Sequence, residues 1–147
     1  MVNFKINDVP VQAAEGTTIL DAAKQLGLQI PTLCYLKDVN EIAACRVCVV
    51  EIKGIDKLVT SCNNVVAEGM EVYTNTPKVR EARRTNIELL LSQHRINCPT
   101  CGSNGACQLQ HIATMMNMDD TMNYHHVYQP NQPEDFPIQR DESKCVK

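Results

Sequence analysis

The chain has 147 residues and a formal net charge of −3, which fits one ordinary domain or two small ones and, with no long basic run, leaves no electrostatic footprint for nucleic acid. It opens on polar residues spaced through Met1 to Asp8, so no signal peptide and no membrane span are predicted and the expected compartment is the cytoplasm. Eight cysteines in a reducing compartment then point to metal or redox chemistry before disulfides.

Residues 2–6 alternate apolar and polar, Asn7-Asp8 is turn chemistry, and Val9 to Ala13 returns as a second strand, predicting a hairpin. Pro10 has no backbone donor, which places that second strand at a sheet edge. Ile19, Ala22, Ala23 and Leu26 recur at helical spacing, with Thr18 and Asp21 as a capping box and Gly27 as the stop. Pro31 ends helical structure, and Cys34 to Cys45 reads as a loop with a ligand at each end. Strands follow at Val47 to Ile52, Leu58 to Ser61 and Met70 to Thr74. One helix across a mixed sheet is the economical α+β arrangement, because both apolar faces need a partner.

Pro77 opens a second region with a helix over 78–93 that carries Ile87, Leu90, Leu91 and His94 on one side. Leu109, Ile112, Ala113 and Met116 predict another helix beyond a cysteine loop. From about Asn123, Pro130, Pro133 and Pro137 mark an extended linker that leads to Cys145.

The cysteines fall into two sets. Cys34, Cys45, Cys48 and Cys62 have the C-x-n-C-x2-C form of a plant-type 2Fe-2S site with a longer first gap. The short step from Cys45 to Cys48 suggests that those two thiolates share an iron neighbourhood while Cys34 and Cys62 complete the cage. Four anionic ligands stabilise oxidised iron and predict a low potential. His94, Cys98, Cys101 and Cys107 form a second set, H-x3-C-x2-C-x5-C, within fourteen residues. There a neutral imidazole replaces a thiolate, so on charge alone the potential rises. Zinc, which takes similar tetrahedra, is the rival. However, the two C-x2-C pairs lie 49 residues apart, not the roughly 15 to 20 of a zinc ribbon. A zinc-stapled interaction module without redox function is therefore the alternative from another class.

Arg80, Arg83 and Arg84 read as one helix face that is solvated or docks an acidic partner. Met115, Met116, Met118 and Met122 read as gap-filling core, and His111, His125 and His126 lack ligand spacing to either cysteine set. No phosphate loop, nucleophile motif or carboxylate pair is visible, so no catalytic site is expected within the chain.

With these sets assembled, the whole chain resembles the N-terminal part of multi-cluster iron-only (FeFe) hydrogenases of the NAD(P)-linked, electron-bifurcating type. The same modules open the large subunit of respiratory complex I and some NAD-dependent formate dehydrogenases. The segment from Ile30-Pro-Thr-Leu-Cys34 through Ala44-Cys45-Arg-Val-Cys48 to Thr60-Ser-Cys62 is similar to a β-grasp, ferredoxin-like domain holding a 2Fe-2S cluster. Asn75-Thr-Pro77, Arg83-Arg84 and His94 to Gln110 resemble a small helical 4Fe-4S module with one histidine and three cysteine ligands. The resemblance divides the chain into residues 1–76, 77–122 and a linker at 123–147, where Cys145 resembles the first 4Fe-4S ligand of a further ferredoxin-type module whose remaining cysteines are absent. It implies an oxidoreductase hetero-oligomer. These residues would relay single electrons between a flavin-containing, NAD(P)H-oxidising iron-sulfur subunit and a catalytic domain or subunit outside them, with hydrogenase ahead of the formate dehydrogenase and complex I-like alternatives.

Overall fold

A computed structural model of the chain describes residues 1–118; the expected linker, with Cys145, His125 and His126, and Met122 lie outside the described residues. The chain divides into two compact units, Met1–Asn86 and one beginning at Ile87.

The first unit is built on a five-stranded mixed sheet in the order β2-β1-β5-β3-β4. Strands β1 (Val2–Ile6) and β2 (Val9–Ala13) pair antiparallel, with Ile6 opposite Val9. Asn7 and Asp8 take φ of 48° and 66°, the two left-handed residues that a tight hairpin turn needs. The Asn7 amide then ties this turn across the sheet, donating to Thr74 Oγ1 at 2.8 Å and accepting from Thr74 N at 2.9 Å. Pro10 does lie on an edge strand. Strand β5 (Glu71–Tyr73) runs parallel to β1 and antiparallel to β3 (Val49–Ile52), whose other neighbour is the two-residue β4 (Val59–Thr60).

Helix α1 (Ile19–Gln25) begins where predicted: the Thr18 side chain accepts from Asp21 N at 3.1 Å. It ends at Gly27, whose φ of 72° allows Gly27 N and Leu28 N to bond Lys24 O and Ala23 O at 2.9 and 3.0 Å, the paired bonds of a glycine-terminated helix. Its buried residues Ile19, Leu20, Ala22 and Ala23 join Phe4, Ile6, Val50, Ile52 and Val72 from the strands, and Cys48 and Cys62, in one core. Leu20 has no exposed surface. Leu20→Ala is therefore expected to destabilise this unit by about 2–5 kcal/mol, the range for a buried leucine that leaves a cavity, read as a fall in the denaturation midpoint.

Strand β3 is buried on both sides, which is why its stretch of sequence reads as an almost continuous apolar run. Cys48, Val50 and Ile52 alternate into the core with α1, whereas Val47 and Val49 are buried but outside it. This second side is tied to the first turns of α2 (Pro77–Ser92), where Arg83 Nη2 donates to Val49 O at 2.7 Å and Asn86 Nδ2 to Arg46 O at 2.8 Å. The reading of Arg80, Arg83 and Arg84 as one exposed face is therefore corrected: Arg80 and Arg84 are exposed, but Arg83 retains only 7% exposure. Val79 and Ile87, four residues to either side of it, are fully buried, so Arg83 interrupts the apolar stripe of the helix.

In the second unit the last turn of α2 is followed by His94, whose N–H donates to Leu91 O at 3.1 Å. A short 3-10 helix spans Cys98–Thr100, and α3 covers Gln108–Met115 with Leu109 and Ile112 buried. The loop between them is pinned by Gln110, which accepts from Gly105 N and donates to Asn104 Oδ1, each at 3.1 Å. Met118 is buried as expected of core filling, whereas Met115 is 57% exposed.

Candidate metal centres

Seven cysteines lie among the described residues, and all seven are free thiols. The first set is assembled by the loop before β3 and the turn after β4. Antiparallel pairing of β3 with β4 sets Val49 opposite Thr60, and the next step of the ladder is Ser61 N donating to Cys48 O at 3.1 Å. One residue further, the Cys48 and Cys62 sulfurs come within 3.3 Å of each other, and both residues are 1% exposed. The turn that carries Cys62 is fixed from behind, because Leu20 N and Ile19 N at the start of α1 donate to Ser61 O and Asn64 O at 3.0 and 2.9 Å.

The Cys34–Cys45 loop is shaped by left-handed residues at Asp38 and Ala43, with a third, Arg46, just after it, and by Asn40 Nδ2 donating to Cys34 O at 3.0 Å. It returns so that Cys45 N donates to Cys34 Sγ at 3.5 Å, a contact that favours a thiolate. The direct sulfur–sulfur contact is between Cys48 and Cys62, and the Cys34 sulfur meets the backbone of Cys45. Among the described residues no three His, Cys, Asp or Glu side chains converge on one metal ion. Four cysteines gathered in this way suit a binuclear centre, which needs two thiolates for each metal.

Burial raises the Cys34 thiol and pushes Cys62 up to about 12, with the adjacent Cys48 adding to the shift at Cys62. Cys62 is thus a neutral thiol in the metal-free chain. Loading a metal displaces that proton, so loading weakens as pH falls.

In the second unit His94, Cys98 and Cys107 line a cavity of about 120 Å³ whose apolar wall includes Leu91, Leu109 and Met118. Cys101 is not in its lining; its N–H donates to Cys98 O at 3.1 Å, and the residue is half-buried in the next turn. Three of the four members of this set thus line one cavity. His111 is exposed on α3, outside that lining. Arg83 is the residue that the sequence misassigned, and its place between Val79 and Ile87 at four-residue intervals was the available signal.

Comparison with known proteins agrees with this chemistry. The 2Fe-2S iron-sulfur cluster binding domain model matches residues 1–77, and the NADH-ubiquinone oxidoreductase-G iron-sulfur binding region model matches residues 83–121. The NADP-reducing hydrogenase subunit HndD of Solidesulfovibrio fructosivorans is 47% identical over 118 residues, covering 77% of this chain and 20% of the relative. The NADPH-Fe(3+) oxidoreductase subunit alpha of Geobacter sulfurreducens is 46% identical over 110 residues, covering 75% of this chain and 13% of the relative. The NADH-ubiquinone oxidoreductase 75 kDa subunit of Reclinomonas americana is 38% identical over 125 residues, covering 85% and 18%. The chain therefore spans a fifth or less of these relatives' length. A crystal structure of an NAD+-reducing NiFe-hydrogenase in the H2-reduced state aligns with a TM-score of 0.74 and 28% identity, over 95% of this chain and 55% of that one. The chain belongs to the 2Fe-2S iron-sulfur cluster binding domain family and carries, behind that domain, a 4Fe-4S binding region of the NADH-ubiquinone oxidoreductase G type.

Proposed function

We propose that these residues are a one-electron relay in which Cys34, Cys45, Cys48 and Cys62 hold the 2Fe-2S cluster and His94, Cys98, Cys101 and Cys107 hold the 4Fe-4S cluster. The observation that carries the reading is the gathering of four cysteines, with the Cys48 and Cys62 sulfurs at 3.3 Å and Cys45 N at 3.5 Å from Cys34 Sγ, inside a domain of that cluster-binding family. In this reading residues 1–76 form the 2Fe-2S domain, 77–122 the His-ligated 4Fe-4S domain, and 123–147 a linker in which Cys145 begins a further 4Fe-4S module.

A flavin-containing, NAD(P)H-oxidising iron-sulfur subunit would split hydride pairs into single electrons at one end. A catalytic domain or subunit outside these residues would exchange them at the other. The relative named as an NADP-reducing hydrogenase subunit supports a hydrogenase there; the NADH-ubiquinone oxidoreductase relative supports the same relay in a complex I-like setting. No helix among the described residues is long and apolar enough to cross a membrane, and the reading keeps the relay in the cytoplasm. The chain's own contribution is positioning and tuning, because no group in either set is arranged for bond-making chemistry.

Metal analysis tests the reading directly. The purified chain is expected to be brown, to contain iron and acid-labile sulfide, and to give two distinguishable electron paramagnetic resonance (EPR) signals on reduction. Colourless protein with stoichiometric zinc would replace the relay with a zinc-stapled module.

A further inference from the structure

Arg83 stands out among the charged side chains of the first unit. It is 93% buried; its Nη2 donates to Val49 O at 2.7 Å, and its Nε is buried with no hydrogen-bond partner among the described residues. Among those residues no carboxylate pairs with it. Desolvation lowers the guanidinium to about 10, so the side chain remains a cation at neutral pH. A buried cation without an anionic partner is costly and seldom retained.

Its surroundings supply the missing anion once the first centre is loaded, which makes this inference dependent on the ligand set proposed above. An oxidised binuclear iron-sulfur centre with four thiolates carries about two negative charges, and accepting one electron makes them three. Cys48 is one of those thiolates, and the carbonyl that Arg83 holds belongs to the next residue. The same stretch of α2 grips the other flank of Cys48, through Asn86 on Arg46 O at 2.8 Å. Counter-ions and water screen such a buried pair poorly.

We infer that Arg83 is the built-in counter-charge of the 2Fe-2S site, a positioning and tuning residue that favours the reduced, more negative state and so raises the potential that four thiolates alone would set. The sign follows from Coulomb's law: a fixed cation stabilises three negative charges more than two. Asn86 shares the mechanical task of holding the loop but carries no charge.

The test is an EPR-monitored redox titration of the cluster-loaded chain and its Arg83→Gln, Arg83→Lys and Asn86→Ala variants at one pH and ionic strength. In Arg83→Gln, reduction of the 2Fe-2S centre is expected to become about tenfold less favourable, a downward shift of ~59 mV for one electron. Arg83→Lys and Asn86→Ala should stay within about threefold of the parent, and the 4Fe-4S midpoint should not move. An unchanged Arg83→Gln midpoint overturns the inference. A fall in Arg83→Lys or Asn86→Ala as large as that in Arg83→Gln also overturns it, because packing or loop geometry would then set the potential. Should Arg83→Gln not retain the cluster, Arg83→Lys decides alone: a parent-like midpoint supports the charge, and a tenfold fall removes it. Absence of any 2Fe-2S signal from the parent chain would instead refute the proposed ligand set.

Discussion

Cys48→Ala is expected to abolish the 2Fe-2S EPR signal of the reduced chain while leaving the 4Fe-4S signal at full intensity. Cys48 supplies the sulfur 3.3 Å from that of Cys62, and alanine offers no ligand atom in its place. Both residues are almost completely buried, so water and neighbouring side chains have little access to the gap. The fold should survive, because the backbone bond from Ser61 N to Cys48 O does not involve the side chain and the deleted sulfur costs on the order of 1 kcal/mol of packing. Selectivity follows from the division of the chain: all four members of the second set lie beyond Ile87, in the other unit. Retention of both signals would show that Cys48 is not a ligand, and loss of both would show that one centre cannot be loaded without the other.

Much of the first unit is legible because local chemistry decides it. Asn7-Asp8 can occupy the left-handed turn, Pro10 can sit only where no ladder donor is needed, and Thr18 with Gly27 delimits α1 through its caps. Pairing of sulfurs is less legible. Along the sequence Cys45 and Cys48 are neighbours, but the left-handed Arg46 between them and the β3–β4 register bring Cys48 to Cys62. Spacing reports distance along the chain, whereas register is set by which faces bury together. Arg83 was misread for a related reason: three arginines within five residues suggest a charged surface, and only the burial of Val79 and Ile87 in step with it reveals that its face points inward.

His94→Cys is expected to retain a 4Fe-4S centre but to lower its potential. His94 sits just past the end of α2, held by its N–H on Leu91 O, and lines the same cavity as Cys98 and Cys107. A thiolate in place of neutral imidazole adds about one negative charge to the centre, which disfavours the further charge of reduction. A tenfold change in that equilibrium corresponds to ~59 mV, and hydrogen bonding and burial set how much of the charge effect survives. The 2Fe-2S midpoint of the same variant serves as the internal reference and should not move. A titration that overlays the parent's would show that imidazole ligation does not tune this centre. A downward shift confined to it would show that the histidine makes this station easier to reduce than an all-thiolate one, and therefore a better acceptor within the relay.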